Sequence, residues 1–252
     1  MGTSVFFLLM IVVGWAAQFV DGTLGMGYGV FSASLLVGIG LAPAIASASV
    51  HTAEIVSTLI SGLSHHYLGN VKKATFLPLV IPGVIGAVSG AYVLASIPGK
   101  MIKPYVAVIL VAMGCLVLYR FLRESGQQPR EQLPSWRISL LGLVAGFLDA
   151  LGGGGWGPVA TPSLILSGNG HPNEVVGSVN LAEFFVTVAA AVTFFFTIGA
   201  ENFNWTVVLA MLIGGAIAAP IGAWVCKRLT AGGRRTRRNP RAPGWKPRSP
   251  PR

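Results

Sequence analysis

The stretch FVDGTLGMGYG at positions 19–29 returns as FLDALGGGGWG at 147–157. Phe19, Asp21, Gly25, Gly27 and Gly29 are matched by Phe147, Asp149, Gly153, Gly155 and Gly157, and an aromatic residue, Tyr28 or Trp156, precedes the last glycine of each copy. Both copies interrupt long apolar runs. A helix that merely crosses a membrane needs neither a carboxylate nor clustered glycines, so a repeated break of this kind calls for a functional reason and reads as a transporter pattern.

The likeness extends beyond the motif. Gly14 and Ala17 meet Gly142 and Ala145. After one insertion Pro43, Ser49, Val50, Ala53 and Glu54 meet Pro172, Ser178, Val179, Ala182 and Glu183, and Gly83, Gly90, Ala91 and Val93 then meet Gly215, Gly222, Ala223 and Val225. The duplication runs over about 10–97 and 138–228, a period far longer than the roughly 20 to 50 residues of a solenoid unit.

Composition agrees with a membrane setting. With 53% hydrophobic and 10% charged residues and a mean hydropathy of +0.68, the chain lacks the polar surface of a soluble globule. The first apolar run has no positive n-region and no small-residue cleavage site, so it is read as a membrane segment rather than a removable signal. Cys115 and Cys226 lie in separate apolar stretches without metal-like spacing and are read as packing residues. No metal or cofactor is expected.

Nine apolar segments follow, at about 4–20, 28–41, 44–66, 75–97, 102–119, 137–149, 156–167, 174–198 and 203–226. A spanning helix needs about 20 apolar residues, and the second, sixth and seventh segments fall short. Each borders a glycine motif, so the breaks are expected to face inward, where protein or a water-filled cavity satisfies their backbone. The expected fold is all-α: two inverted repeats whose glycine-broken short helices meet near the midplane. The expected organisation is a first repeat at 1–100, a linking helix and loop at 101–136, a second repeat at 137–230, and a disordered basic tail at 231–252.

Charge orients the chain. Lys72 and Lys73, the arginines at 120–137, and Lys227 with Arg228 fall on one side by segment parity, which the positive-inside rule makes cytoplasmic; Lys100 and Lys103 vote the other way. The N-terminus is then outside and the tail inside. Equivalent loops after Gly69 and Gly199 fall on opposite sides, which makes the repeats inverted.

On these residues the chain resembles the TauE/SafE family of sulfite exporters and related permeases. The paired motif, Pro43 and Pro172, Glu54 and Glu183, and the Gly69-Asn70-Val71 turn carry the resemblance, over 5–228. It implies a prokaryotic inner-membrane permease moving small sulfur-containing or carboxylated anions. Members of that family close with one more apolar segment, whereas 232–252 is Arg- and Pro-rich here. Two readings of that tail stand: a terminus that has lost its last helix, or a polybasic tail touching anionic lipid. The tail supplies much of the net charge of +10, which is therefore no sign of nucleic-acid binding.

An anion inside a membrane needs a substitute for its hydration shell, and helix N-termini offer unpaired N–H groups and the positive end of a dipole. Gly25, Gly27 and Gly29, with Gly153, Gly155 and Gly157, let backbone approach a ligand; close helix packing is the alternative. Asp21 and Asp149 are read as bonding the broken backbone or carrying a coupled proton or cation. Glu54 and Glu183, deep in their segments, are costly to keep charged and are the candidate proton carriers. One turn earlier His51 and Asn180, with Ser49 and Ser178, complete a polar stripe expected to meet substrate. His65 and His66 are read as interfacial.

The expected function is secondary transport of small anions by alternating access, with a passive channel or an intramembrane enzyme using Asp21, Asp149 or His51 as alternatives. Repetition of each acid favours transport over an asymmetric catalytic site. The expected partners are the substrate, the bilayer and a coupling proton or cation, and a homodimer is left open.

Overall fold

The computed structural model describes residues 2–122 and 132–237; of these, the side chains at 120–121 and 230–237 are left aside. Nine α-helices appear among the described residues: α1 (Thr3–Leu24), α2 (Tyr28–Gly38), α3 (Pro43–Tyr67), α4 (Lys73–Ser96), α5 (Gly99–Leu122), α6 (Ser135–Gly152), α7 (Trp156–Leu166), α8 (Pro172–Ile198) and α9 (Trp205–Arg237). A 3-10 turn at Ala200–Asn202 precedes the last. Seven helices are long and apolar enough to cross a membrane. This is a multi-pass, all-α membrane protein.

One length expectation is corrected. The sixth segment is not short: α6 has 18 residues and joins the candidate spans. It starts after Pro134, whose fixed φ suits a helix entry, and runs through Gly152, with Gly153 as its cap. Only α2 and α7, with 11 residues each, are too short to cross. At the other end α9 continues to Arg237, so the basic tail is helical over 231–237 where disorder was expected. Positions 238–252 lie outside the described residues.

The two halves exchange partners. α1 packs along α9, and its counterpart α6 packs along α4; α3 lies against α9, and its counterpart α8 lies against α4. α3 and α8 face each other at the centre. Small residues permit this. A methyl group on Gly14 would stand 2.7 Å from the Met211 Cα, and one on Gly142 would stand 2.7 Å from the Leu79 carbonyl oxygen. Without a hydrophobic force between helices in lipid, such close backbone approach supplies much of the association through dispersion. Side chains such as Leu8, Val12, Ile81, Ile85, Tyr105 and Val108 remain exposed on the outside, as a lipid-facing surface requires.

Candidate functional site

Both helices that carry a motif aspartate end in the same way. Gly25 and Gly153 take the left-handed conformation, φ 72° and 76°, and their amides bond the carbonyls of Asp21 and Asp149, each at 2.6 Å. Glycine adopts this region without the penalty a Cβ brings, so the chain turns sharply and the next short helix begins three residues on.

The two breaks lie against each other. A methyl on Gly29 would collide with the Gly153 carbonyl and Gly154, one on Gly154 would collide with the Val30 amide, and one on Gly157 would come within 2.6 Å of the Met26 Cα. Hydrogen bonds tie them further. The Thr161 hydroxyl of α7 donates to the Gly25 carbonyl at 2.6 Å, and the Ser47 hydroxyl of α3 donates to the Ala150 carbonyl at 2.7 Å. Gly29, Gly154 and Gly157 thus bring backbone to backbone across the halves, which is the packing alternative considered for the motif glycines.

Asp149 closes the second break. Its Oδ1 accepts from the Gly155 and Trp156 amides at 2.9 and 3.1 Å, so it caps the start of α7. Its Oδ2 lies 3.2 Å from His51 Nε2. His51 Nδ1 stands 2.8 Å from the Ser47 carbonyl oxygen. A carbonyl only accepts, so Nδ1 carries a hydrogen, and the contact with Asp149 holds one further proton, on the ring or on the carboxyl. Both ring nitrogens of His51 therefore face protein acceptors, where sequence reading had aimed the ring at substrate.

The first break is arranged alike but less completely. The Tyr28 backbone amide lies beside the Asp21 carboxyl, as Trp156 does beside Asp149. Asn180, the counterpart of His51, accepts from the Ser61 hydroxyl at 2.6 Å through Oδ1, and its Nδ2 has no partner. Asp21, Glu54, Asp149 and Glu183 are 1%, 2%, 4% and 5% exposed. They are close enough to act on one another electrostatically: Glu54 feels Asp149 and Asp21, and Glu183 feels all three. Four carboxyl groups from both halves thus share one buried interior.

A profile of the family described as sulfite exporter TauE/SafE matches residues 10–238. The chain belongs to the TauE/SafE family. It is also 46% identical over 224 residues, 88% of this chain and 75% of the relative, to the probable membrane transporter protein YtnM of Bacillus subtilis (strain 168). No solved structure matches it.

In this TauE/SafE protein the remaining expected residues fall elsewhere. Ser178 accepts from the Lys72 amide at 2.8 Å, and Ser49 accepts from the Asn204 amide at 3.2 Å. Each serine steadies the entry of the helix, α4 or α9, that belongs to the other half. His65, read as interfacial, is fully buried: Nε2 lies 3.0 Å from the Gly22 carbonyl oxygen and Nδ1 lies 3.1 Å from Asn70 Nδ2. His66 is exposed, as expected. Gln18, Ser47 and Thr161 had not been singled out, and Tyr28 had entered only as the motif aromatic. Gln18 shares a helix face with Asp21, three residues on, so the spacing rule that paired His51 with Glu54 finds it too. Thr161 occupies the place of Ala33 in the first copy, and no local pattern marks it. An apolar groove of about 330 Å³ beside Gly86, Leu143 and Phe147 opens on the outer face, away from this interior.

Proposed function

We propose that this protein is a secondary transporter of small anions, sulfite or another small sulfur oxyanion, working by alternating access of two inverted repeats in the prokaryotic inner membrane. The observation that carries the reading is the meeting of two glycine breaks, one from each half, beside four buried carboxyl groups. Discontinuous helices joined at the middle of an inverted-repeat protein are where such transporters bind substrate. The family's description as a sulfite exporter supports the substrate class.

In this reading the glycines close the interior in one state. Gly25, Gly27, Gly29, Gly153, Gly155 and Gly157 present their backbone to substrate when the halves part, because contacts made by backbone alone separate without side chains to disentangle. Anions near carboxylates are repelled in a low-dielectric interior, so substrate movement is linked to protons on Asp21, Glu54 and Glu183. The loops carrying Lys72, Lys73 and Lys227 face the cytoplasm.

The test is flux in vesicles containing the purified chain, with sulfite, thiosulfate, sulfonates and small carboxylates as the panel. Saturation and counterflow with one of them are expected. Non-saturating flux without counterflow means a channel, and transport of only cations or neutral solutes rejects the anion reading.

A further inference from the structure

The polar interior is satisfied unevenly. The motif aspartate, the aromatic and the polar residue one turn before the glutamate are bonded at one break and leave atoms unpaired at the other, and Ser32 Oγ, Asn173 Oδ1 and Thr187 Oγ1 are unpaired as well. At the second break Asp149 engages three donors or donor candidates, the Trp156 indole donates to the Val179 carbonyl at 3.1 Å, and Thr161 is bonded. At the first break the corresponding atoms are without partners: Asp21 Oδ2, the Tyr28 hydroxyl, which belongs to the residue matching Trp156, and Asn180 Nδ2, on the residue matching His51. Both polar atoms of Gln18 and Oε2 of Glu183 are also unpartnered. Gln18, Asp21, Tyr28 and Asn180 are no more than 1% exposed. Folded proteins leave few buried polar atoms unpaired, and a group of them on one side asks for an occupant.

These atoms converge. Asp21 acts electrostatically on both Tyr28 and Glu183. Gln18 lies one turn before Asp21 on α1, Asn180 lies one turn before Glu183 on α8, and the two helices touch. The set comes from three helices, α1 touching both α2 and α8.

We propose that Gln18, Asp21, Tyr28, Asn180 and Glu183 form the ligand site, and that it takes an oxyanion still carrying an acidic proton, while the His51–Asp149 side is a closed latch without a ligand. This rests on the transport reading above and divides the labour within it. The Gln18 and Asn180 amides and the Tyr28 hydroxyl supply donors for the ligand's oxygens. Asp21 Oδ2, Glu183 Oε2 and Gln18 Oε1 supply acceptors once the two carboxyls have released their protons, and a hydrogen on the ligand then bonds one of them. A fully deprotonated dianion offers none and meets two carboxyl groups instead.

The experiment measures thermal unfolding of the purified full chain with sulfite or with sulfate, together with flux in vesicles. Sulfite, which keeps a titratable proton near neutral pH, is expected to stabilise the parent, and sulfate is not. Gln18→Leu and Tyr28→Phe remove only unpaired polar atoms, so each is expected to unfold no earlier than the parent without ligand, whereas Asn180→Leu also takes the acceptor from the Ser61 hydroxyl and is expected to unfold somewhat earlier. Each is also expected to weaken sulfite binding by about tenfold or more, the loss of one good hydrogen bond in a buried site. Tyr28→Phe keeps the ring and guards against a folding failure in the other two. Equal stabilisation by sulfate, or an undiminished sulfite response in all three variants of a transporting protein, overturns the assignment and leaves transport standing. A parent that neither binds nor moves any anion of the panel overturns both.

Discussion

His51 Nε2 and Asp149 Oδ2 stand 3.2 Å apart although 98 positions separate them in the chain. The contact joins α3 of one half to the break of the other, and the same carboxyl caps α7. Asp149→Ala removes the acceptor for two helix-start amides and for His51 together. It is expected to cost about 2 kcal/mol or more, read as earlier thermal unfolding in detergent. Asp149→Asn keeps Oδ1 and offers Nδ2 to the ring, so it should fold and yet transport poorly. Parent-like stability in the alanine variant would show that the cap contributes little.

The glycine contacts differ in tolerance. Gly29→Ala and Gly154→Ala drive a methyl into backbone of the facing break, and neither side can withdraw cheaply. Each is expected to destabilise by about 2 kcal/mol or more. Gly38 has nothing within 4 Å of its would-be methyl, so Gly38→Ala should fold as the parent does. Yield and unfolding temperature of the three purified variants check the contrast; equal behaviour would mean that the breaks are not pressed together.

Thr161→Val leaves the Gly25 carbonyl without its 2.6 Å donor. Losing a buried bond of this kind costs about 1 to 3 kcal/mol. Thr161→Ser restores the hydroxyl and most of that stability. A valine variant as stable as the serine variant would show that the hydroxyl is dispensable and that only shape matters at this point.

Membrane sidedness is open to thiol labelling. After Cys115 and Cys226 are replaced, single cysteines at His66 and Glu201, both exposed, are expected to react from opposite sides of sealed vesicles. Position 66 should be reached from the cytoplasmic side and position 201 from outside. Reaction of both from one side contradicts the inverted arrangement.

Helix number and the two breaks were legible in the sequence because duplication prints each feature twice. The extent of α6 was misread because a glycine run looks like one break, whereas the helix persists through Gly152 and yields only at Gly153. The burial of His65 and the Asp149–His51 contact were not legible. Their partners lie on helices of the other copy or beyond a break, and neither hydropathy nor helical spacing reports which helix comes to rest beside which. Ser49 and Ser178 were read as equivalent. Their bonds to the Asn204 and Lys72 amides depend on the exchange of helices, which the repeat alone does not announce.

That exchange bears on how the protein is made. Among the described helices α1 precedes all the others and has its long contact with α9, so the Gly14 face of α1 stays unpaired until α9 has been synthesised. A fragment that stops before α9 inserts with α1 unpaired and becomes a substrate for membrane proteases. The first half expressed alone should be short-lived in the cell, and co-expression with the second half should restore both.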